Sequence, residues 1–161
     1  METNRVVVGV ADMYISNHEK DHIITFSLGS CLGVTVFDPE LRLGGLIHCM
    51  LPTARLDMGK AEERPEMFVD TGLTLLLQKF FDFGAVRNRL VVKLAGAASV
   101  LNDNMFFRVG ERNYICAKKL LEKNHIPVAA EDVLGTMSRT VSLEIATGMT
   151  KIRSQNREQN L

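Results

Sequence analysis

The feature that most constrains this chain is a pair of apolar runs, Leu32 to Phe37 and Leu43 to Met50, on either side of Asp38-Pro39-Glu40. Each run has the length of a buried strand, and the proline between them occupies a favoured turn position. The pattern predicts a β-hairpin. A two-residue loop, Pro39-Glu40, and a four-residue loop, Asp38 to Leu41, pair residues whose numbers sum to 79. Either closure sets Cys31 directly opposite His48. Opposed residues on one face of an antiparallel pair have Cβ atoms about 5 Å apart, within reach for a thiol and an imidazole. A three-residue loop or a bulge would change that register.

Strand alternation also sorts the cysteines. Cys49 points away from the face that carries His48 and is expected in the core. Cys116 falls on the inner side of a predicted helix, where a small hydrophobe is the commonest reading. Three cysteines spaced by 18 and 67 residues match neither a disulfide framework nor a paired zinc site, so all three read as free thiols.

Further strands are expected from Arg5 to Val10, His22 to Leu28, Arg89 to Leu94, Ile126 to Ala130, Arg139 to Ala146 and Met149 to Arg153. Helices are expected from Glu66 to Asp82, behind Pro65, and from Glu111 to Asn124, after Gly110. The segment from Thr53 to Glu66 reads as an exposed loop, Gly96-Ala97-Ala98-Ser99 as a tight turn bordering the pocket, and Asn102-Asp103-Asn104 as a turn. Strands outnumber helices without regular βαβ alternation, which predicts an α+β fold: a layered sandwich with mixed or antiparallel sheets and two main helices. One domain over 1–153 is expected, followed by a frayed polar tail over 154–161.

Charge removes whole classes of function. Lysine plus arginine and aspartate plus glutamate number 19 each, so no net field recruits nucleic acid or an anionic membrane. The N-terminal residues lack a signal-peptide pattern and no apolar run approaches the length of a membrane span, which points to the cytoplasm.

The thiol at Cys31 follows Leu28-Gly29-Ser30, where a strand gives way to small residues. Backbone N–H groups there can approach a bound carbonyl as an oxyanion hole requires, making Ser27, Gly29 and Ser30 the pocket candidates. A neighbouring imidazolium at His48 would favour the Cys31 thiolate, the attacking form. Thr25, on the preceding strand, is the candidate for orienting the imidazole, through its hydroxyl or its backbone carbonyl. His18, Asp21 and His22 read as a solvated loop rather than a metal site. Gly96 to Ser99 has neither pattern of a phosphate-binding loop. This chemistry requires no metal or organic cofactor.

The runs Thr25-Phe26-Ser27-Leu28-Gly29-Ser30-Cys31 and Gly44-Gly45-Leu46-Ile47-His48-Cys49-Met50-Leu51-Pro52 resemble the signature of the chemoreceptor glutamine deamidases of bacterial chemotaxis, the CheD-like family. Gly9-Val10-Ala11-Asp12-Met13, Phe68-Val69-Asp70-Thr71 and Gly110-Glu111-Arg112-Asn113 add to the likeness, which reaches everything but the tail. It implies Cys31 as nucleophile, His48 as base and Thr25 as third member of a triad. It further implies conversion of glutamine to glutamate on methyl-accepting chemotaxis receptors, with methylesterase activity in some members. A chemotaxis phosphatase as regulatory partner and a fold akin to the cytotoxic necrotizing factor deamidases also follow from it. The rival readings are a thiol amidohydrolase of another substrate and a non-enzymatic chemotaxis binding module. The chain departs from the family at Gly96-Ala97-Ala98-Ser99, where Gly-Gly-Ala-Ser is usual. It departs again at Leu134-Gly135-Thr136-Met137-Ser138-Arg139, where Gly-Gly-x-x-Gly-Arg is usual. Because alanine adopts a positive φ with difficulty, these loops are expected to have changed.

Overall fold

The computed structural model describes residues 2–99 and 108–161. Its strands, in chain order, are β1 (Asn4–Val7), β2 (Asp12–Ser16), β3 (Asp21–Leu28), β4 (Leu32–Asp38), β5 (Leu43–Cys49), β6 (Val91–Gly96), β7 (Val128–Val133), β8 (Arg139–Glu144), β9 (Thr150–Ser154) and β10 (Arg157–Asn160). The helices are α1 (Met58–Glu63), α2 (Val69–Asp82) and α3 (Val109–Lys123), joined by short 3-10 turns. The expected turn at Asn102-Asp103-Asn104 lies outside the described residues.

Every residue of β4 and β5 is buried, as strands covered on both faces must be. They form the middle of one five-stranded sheet, β2-β5-β4-β6-β7, which packs against a second, β1-β3-β8-β9-β10. Both sheets are mixed: β1 runs parallel to β3 and β6 parallel to β7, while the remaining pairs are antiparallel. The alternation along β5 assigns the layers. Ile47 and Cys49 join the core shared with Leu73, Leu76 and Phe80 of α2 and Ala117 and Leu121 of α3. Leu46 turns to the inter-sheet core with Ile23, Val141, Leu143 and Ile152. The fold is therefore α+β, with helices on one sheet and the second sheet on its other face.

The hairpin exists, but its register differs from expectation. Asp38 pairs with Leu43 and Gly33 with His48, so partner numbers sum to 81 and the loop is Pro39 to Arg42. The Asp38 carboxylate accepts from the backbone N–H of Glu40 (3.0 Å) and Leu41 (3.2 Å), and Arg42 takes a left-handed φ of 50°. With its side chain capping the turn, Asp38 remains in the strand and the loop begins one residue later. A shift of two in the sum preserves which face each side chain occupies, so the assignment of Cys49 survives.

Three other expectations are corrected. Residues 154–161 are paired rather than frayed: β10 lies antiparallel to β9, Leu161 N–H donates to Thr150 O (2.9 Å), and the Leu161 side chain packs on the inter-sheet core. The Thr53–Glu66 segment contains α1, whose first turn is capped by Asp57 accepting from Lys60 N–H, so a third helix joins the two expected. Gly110 lies within α3, which begins at Val109, rather than just before it.

Candidate active site

Along β3, Asp21, Ile23 and Thr25 are buried while His22 and Ile24 are half-buried, the period-2 signature of a strand with one face inward. Thr25 thus points between the sheets, toward the face of β5 that carries His48. Thr25 Oγ1 and His48 Nδ1 are 2.7 Å apart, and Thr25 is 0% and His48 1% exposed. The bond crosses from one sheet to the other.

A count of protons fixes the imidazole tautomer. A threonine hydroxyl carries one hydrogen, and Thr25 donates it to Val8 O at 2.8 Å. His48 must therefore donate Nδ1–H to Thr25 Oγ1, which leaves the Nε2 lone pair of a neutral imidazole as acceptor. Nε2 is buried and, among the described residues, without a hydrogen-bond partner. Of the two options for Thr25 the hydroxyl is the one that meets His48; the Thr25 backbone belongs to the ladder with Val141. Burial pushes the His48 pKa down to about 4, so the ring is neutral near pH 7.

Cys31 lies on the link from β3 to β4, is half-buried, and packs against the inter-sheet core. Cys31 lies just beyond the ladder, and Gly33 instead stands opposite His48, so the expected direct opposition of Cys31 and His48 is not formed. They are not hydrogen-bonded to each other, since Nε2 has no partner among the described residues. Burial pushes the Cys31 thiol up, partly opposed by its own backbone amide. Both shifts favour a neutral thiol and a neutral imidazole over the expected imidazolium-stabilised thiolate. Cys49 is 0% exposed in the helix-side core. Cys116 is half-buried, with its thiol donating to Pro52 O at 3.2 Å.

The Cys31-bearing link is shaped by a bulge and held from behind. Between Thr25 and Leu28 the pairing of β3 with β8 slips by one residue, and Ser27 adopts a left-handed φ of 57° with its carbonyl accepting from Gly29 N–H (2.9 Å). Ala97 N–H donates to Cys31 O and Ala98 N–H to Gly29 O, each at 2.8 Å. Asn113 on α3 donates from Nδ2 to Ser30 O (2.9 Å) and to Met50 O (3.2 Å). The Gly96 to Ser99 turn therefore backs the Cys31 link. Ala97 holds a φ of 52° despite being alanine, and Leu134 and Gly135 hold 66° and 71°, so both departing loops keep left-handed residues. Arg139 locks the clamp, donating to Gly96 O (3.2 Å) and to the Asp132 carboxylate (3.1 Å).

Asp21 and His22 open β3 rather than lie in a solvated loop. Burial raises the Asp21 pKa, but hydrogen bonds from Ser16 and Asn4 outweigh it and hold the carboxylate below its usual range. Among the described residues no group of three or more His, Cys, Asp or Glu side chains is placed to hold a metal ion. Nor is any described helix long and apolar enough to cross a membrane.

Fold and site together define a two-sheet α+β domain in which a threonine-oriented neutral histidine is buried beside a cysteine-bearing strand link. The chain belongs to the CheD family: residues 50–154 match its model, described as CheD chemotactic sensory transduction, and relatives align over more than nine-tenths of the chain. Over 149 residues the chain is 42% identical to the "Probable chemoreceptor glutamine deamidase CheD 1" of Syntrophus aciditrophicus, covering 92% of this chain and 93% of that protein. Over 157 residues it is 38% identical to the "Probable chemoreceptor glutamine deamidase CheD" of Solibacter usitatus, covering 98% and 93%. Among solved structures, a hypothetical protein YfiH from Bacillus licheniformis aligns with a TM-score of 0.49 and 11% identity, over 77% of this chain and 51% of that one.

Proposed function

We propose that the protein hydrolyses the side-chain carboxamide of specific glutamines on methyl-accepting chemotaxis receptors, giving glutamate and ammonia, with Cys31 as nucleophile, His48 as general base and Thr25 as its orienting partner. Family membership and the printed names of the relatives support the substrate class. The observation that carries the chemistry is the proton inventory at Thr25, which presents a buried Nε2 lone pair, unpartnered among the described residues, beside the Cys31 link.

In the first half-reaction His48 Nε2 accepts the Cys31 thiol proton as sulfur attacks the amide carbon. The backbone N–H groups of Ser30 and Cys31, on the bend that carries the thiol, are the candidates to hold the oxyanion. The imidazolium then protonates the departing nitrogen, the C–N bond breaks, ammonia leaves, and a thioester remains. In the second half, water gives a proton to Nε2 and adds to the thioester; the C–S bond breaks and sulfur recovers its proton. A histidine whose protonated form is disfavoured by burial passes its proton on readily, which suits the donation to nitrogen.

A receptor methyl ester would pass through the same acyl-enzyme, and methylesterase activity belongs to this proposal. A chemotaxis phosphatase as regulator and action in the cytoplasm rest on the family resemblance. The test is incubation of purified protein with receptor fragments, reading a mass gain of about 1 Da at glutamine. Gain with the native chain and none with Cys31→Ala supports the proposal. No gain on receptors, with thiol-dependent hydrolysis of another amide, leaves an amidohydrolase of different substrate. A Cys31→Ala variant that retains its cellular role leaves a binding module.

A further inference from the structure

The helix α3 reaches the nucleophile link at two points one turn apart. At Gly110 the helix presses on the Ala97–Ala98 backbone so closely that an added Cβ would stand 2.5 Å from Ala98 O and 2.7 Å from Ala97 O. Those two residues supply the N–H groups that hold Cys31 O and Gly29 O. Three positions on, Asn113 uses both Nδ2 hydrogens, one on Ser30 O and one on Met50 O. Ser30 immediately precedes the thiol-bearing residue, and Met50 lies two residues beyond His48. One side chain thus ties the nucleophile's link to the end of the base's strand.

Asn113 is 0% exposed, and its Oδ1 is buried with no hydrogen-bond partner among the described residues. The opposite amide orientation would set Oδ1 against two carbonyl oxygens, so the donors on Ser30 and Met50 fix it as it stands. A buried amide with one end unsatisfied is poor for stability; an apolar side chain of similar volume would lose nothing at Oδ1.

We infer that Asn113 is a positioning residue that sets the separation of Cys31 and His48 by bridging Ser30 O and Met50 O. The inference rests on the Cys31–His48 pairing proposed above. Without the bridge the two backbone segments part, and base-assisted attack slows while the fold remains.

The test uses the full chain and alkylation of Cys31 by iodoacetamide near neutral pH, followed by mass spectrometry, with thermal unfolding in parallel. Asn113→Leu is expected to fold with a melting temperature lowered by about 5–15 °C, for the two carbonyls left without a donor, and to slow alkylation about tenfold. His48→Ala should slow it by a similar factor, and the double variant should be no slower than either single one, because both remove the same assistance. If Asn113→Leu does not fold, Asn113→Ala carries the same expectations. Receptor deamidation should show kcat lower by about 100-fold with KM within about twofold. Alkylation unaffected by the Asn113 variants, or additive with His48→Ala, overturns the inference while the catalytic pair stands. Alkylation indifferent to His48→Ala removes the pair itself, and the inference with it.

Discussion

Replacing Thr25 with valine tests the orientation of the base with almost no change in shape. The hydroxyl donates to Val8 O and accepts His48 Nδ1–H, at 2.8 and 2.7 Å, in a region closed to water. Valine leaves both partners buried and unsatisfied. Each such group costs about 1–3 kcal/mol, so the unfolding free energy should fall by about 2–5 kcal/mol, read as a shift of the urea midpoint at constant slope. The rate should fall further than stability explains. Without an acceptor at Nδ1 the ring proton is free to occupy Nε2, where it blocks uptake of the thiol proton; loss of tautomer control of this kind costs about 10⁴ in turnover in a serine-protease triad. For Thr25→Val we expect a decrease of about 10²–10⁴ in receptor deamidation by the folded protein. Thr25→Ser keeps the hydroxyl and loses one methyl, for about 1 kcal/mol, and should retain most of the rate. Nitrogen NMR of the ring gives an independent reading, with Nδ1 protonated in the native chain and a mixed population in Thr25→Val. A Thr25→Val protein that deamidates at the native rate, or keeps a pure Nδ1–H tautomer, would refute the proton inventory.

The depressed pKa of His48 makes stability depend on pH, because between about 6.5 and about 4 the unfolded chain binds a proton that the folded chain refuses. This contribution is complete above pH 6.5 and is lost on acidification toward pH 4, to a total of about 3 kcal/mol; urea titrations should show His48→Ala flattening that limb. Gly96→Ala should destabilise by about 2 kcal/mol or more and depress turnover, because φ is 95° there and the new Cβ would stand 2.5 Å from Cys31 O; native-like turnover would count against the clamp. Cys49→Ala should cost about 1–2 kcal/mol from a small core cavity yet leave the rate within about twofold, and loss of activity in a folded variant would contradict the strand-face assignment.

How much of this was legible varies with the range of the interaction. The hairpin could be read because burial and turn chemistry are both local, and its faces could be read because a strand has period 2. Its register could not, since the Asp38 cap on Glu40 and Leu41 and the left-handed Arg42 decide which residue begins the loop. Strand β2 was missed because its apolar run, Met13-Tyr14-Ile15, is too short to signal a strand, and it is specified by pairing with β5. β10 is exposed throughout, and only its ladder to β9 makes it a strand. Of the site, Thr25, Cys31 and His48 carried visible chemistry. The clamp of Gly96 to Ala98 works through backbone groups, which any sequence supplies. Asn113 did leave a trace: Gly110, Asn113, Ala117 and Leu121 form the buried stripe of α3, and one member of that stripe is polar.

The Thr25–His48 bond crosses the seam between the two sheets, and Cys31 sits on the link carrying the chain from β3 in one sheet to β4 in the other. Neither sheet alone contains the relay. During folding, the Thr25–His48 bond cannot form until the sheets have docked, so on the proposed mechanism a half-assembled chain would carry a thiol no more assisted than any free cysteine. On the proposed mechanism, assistance to Cys31 therefore reports complete assembly, and chemistry and tertiary structure would be acquired in a single event.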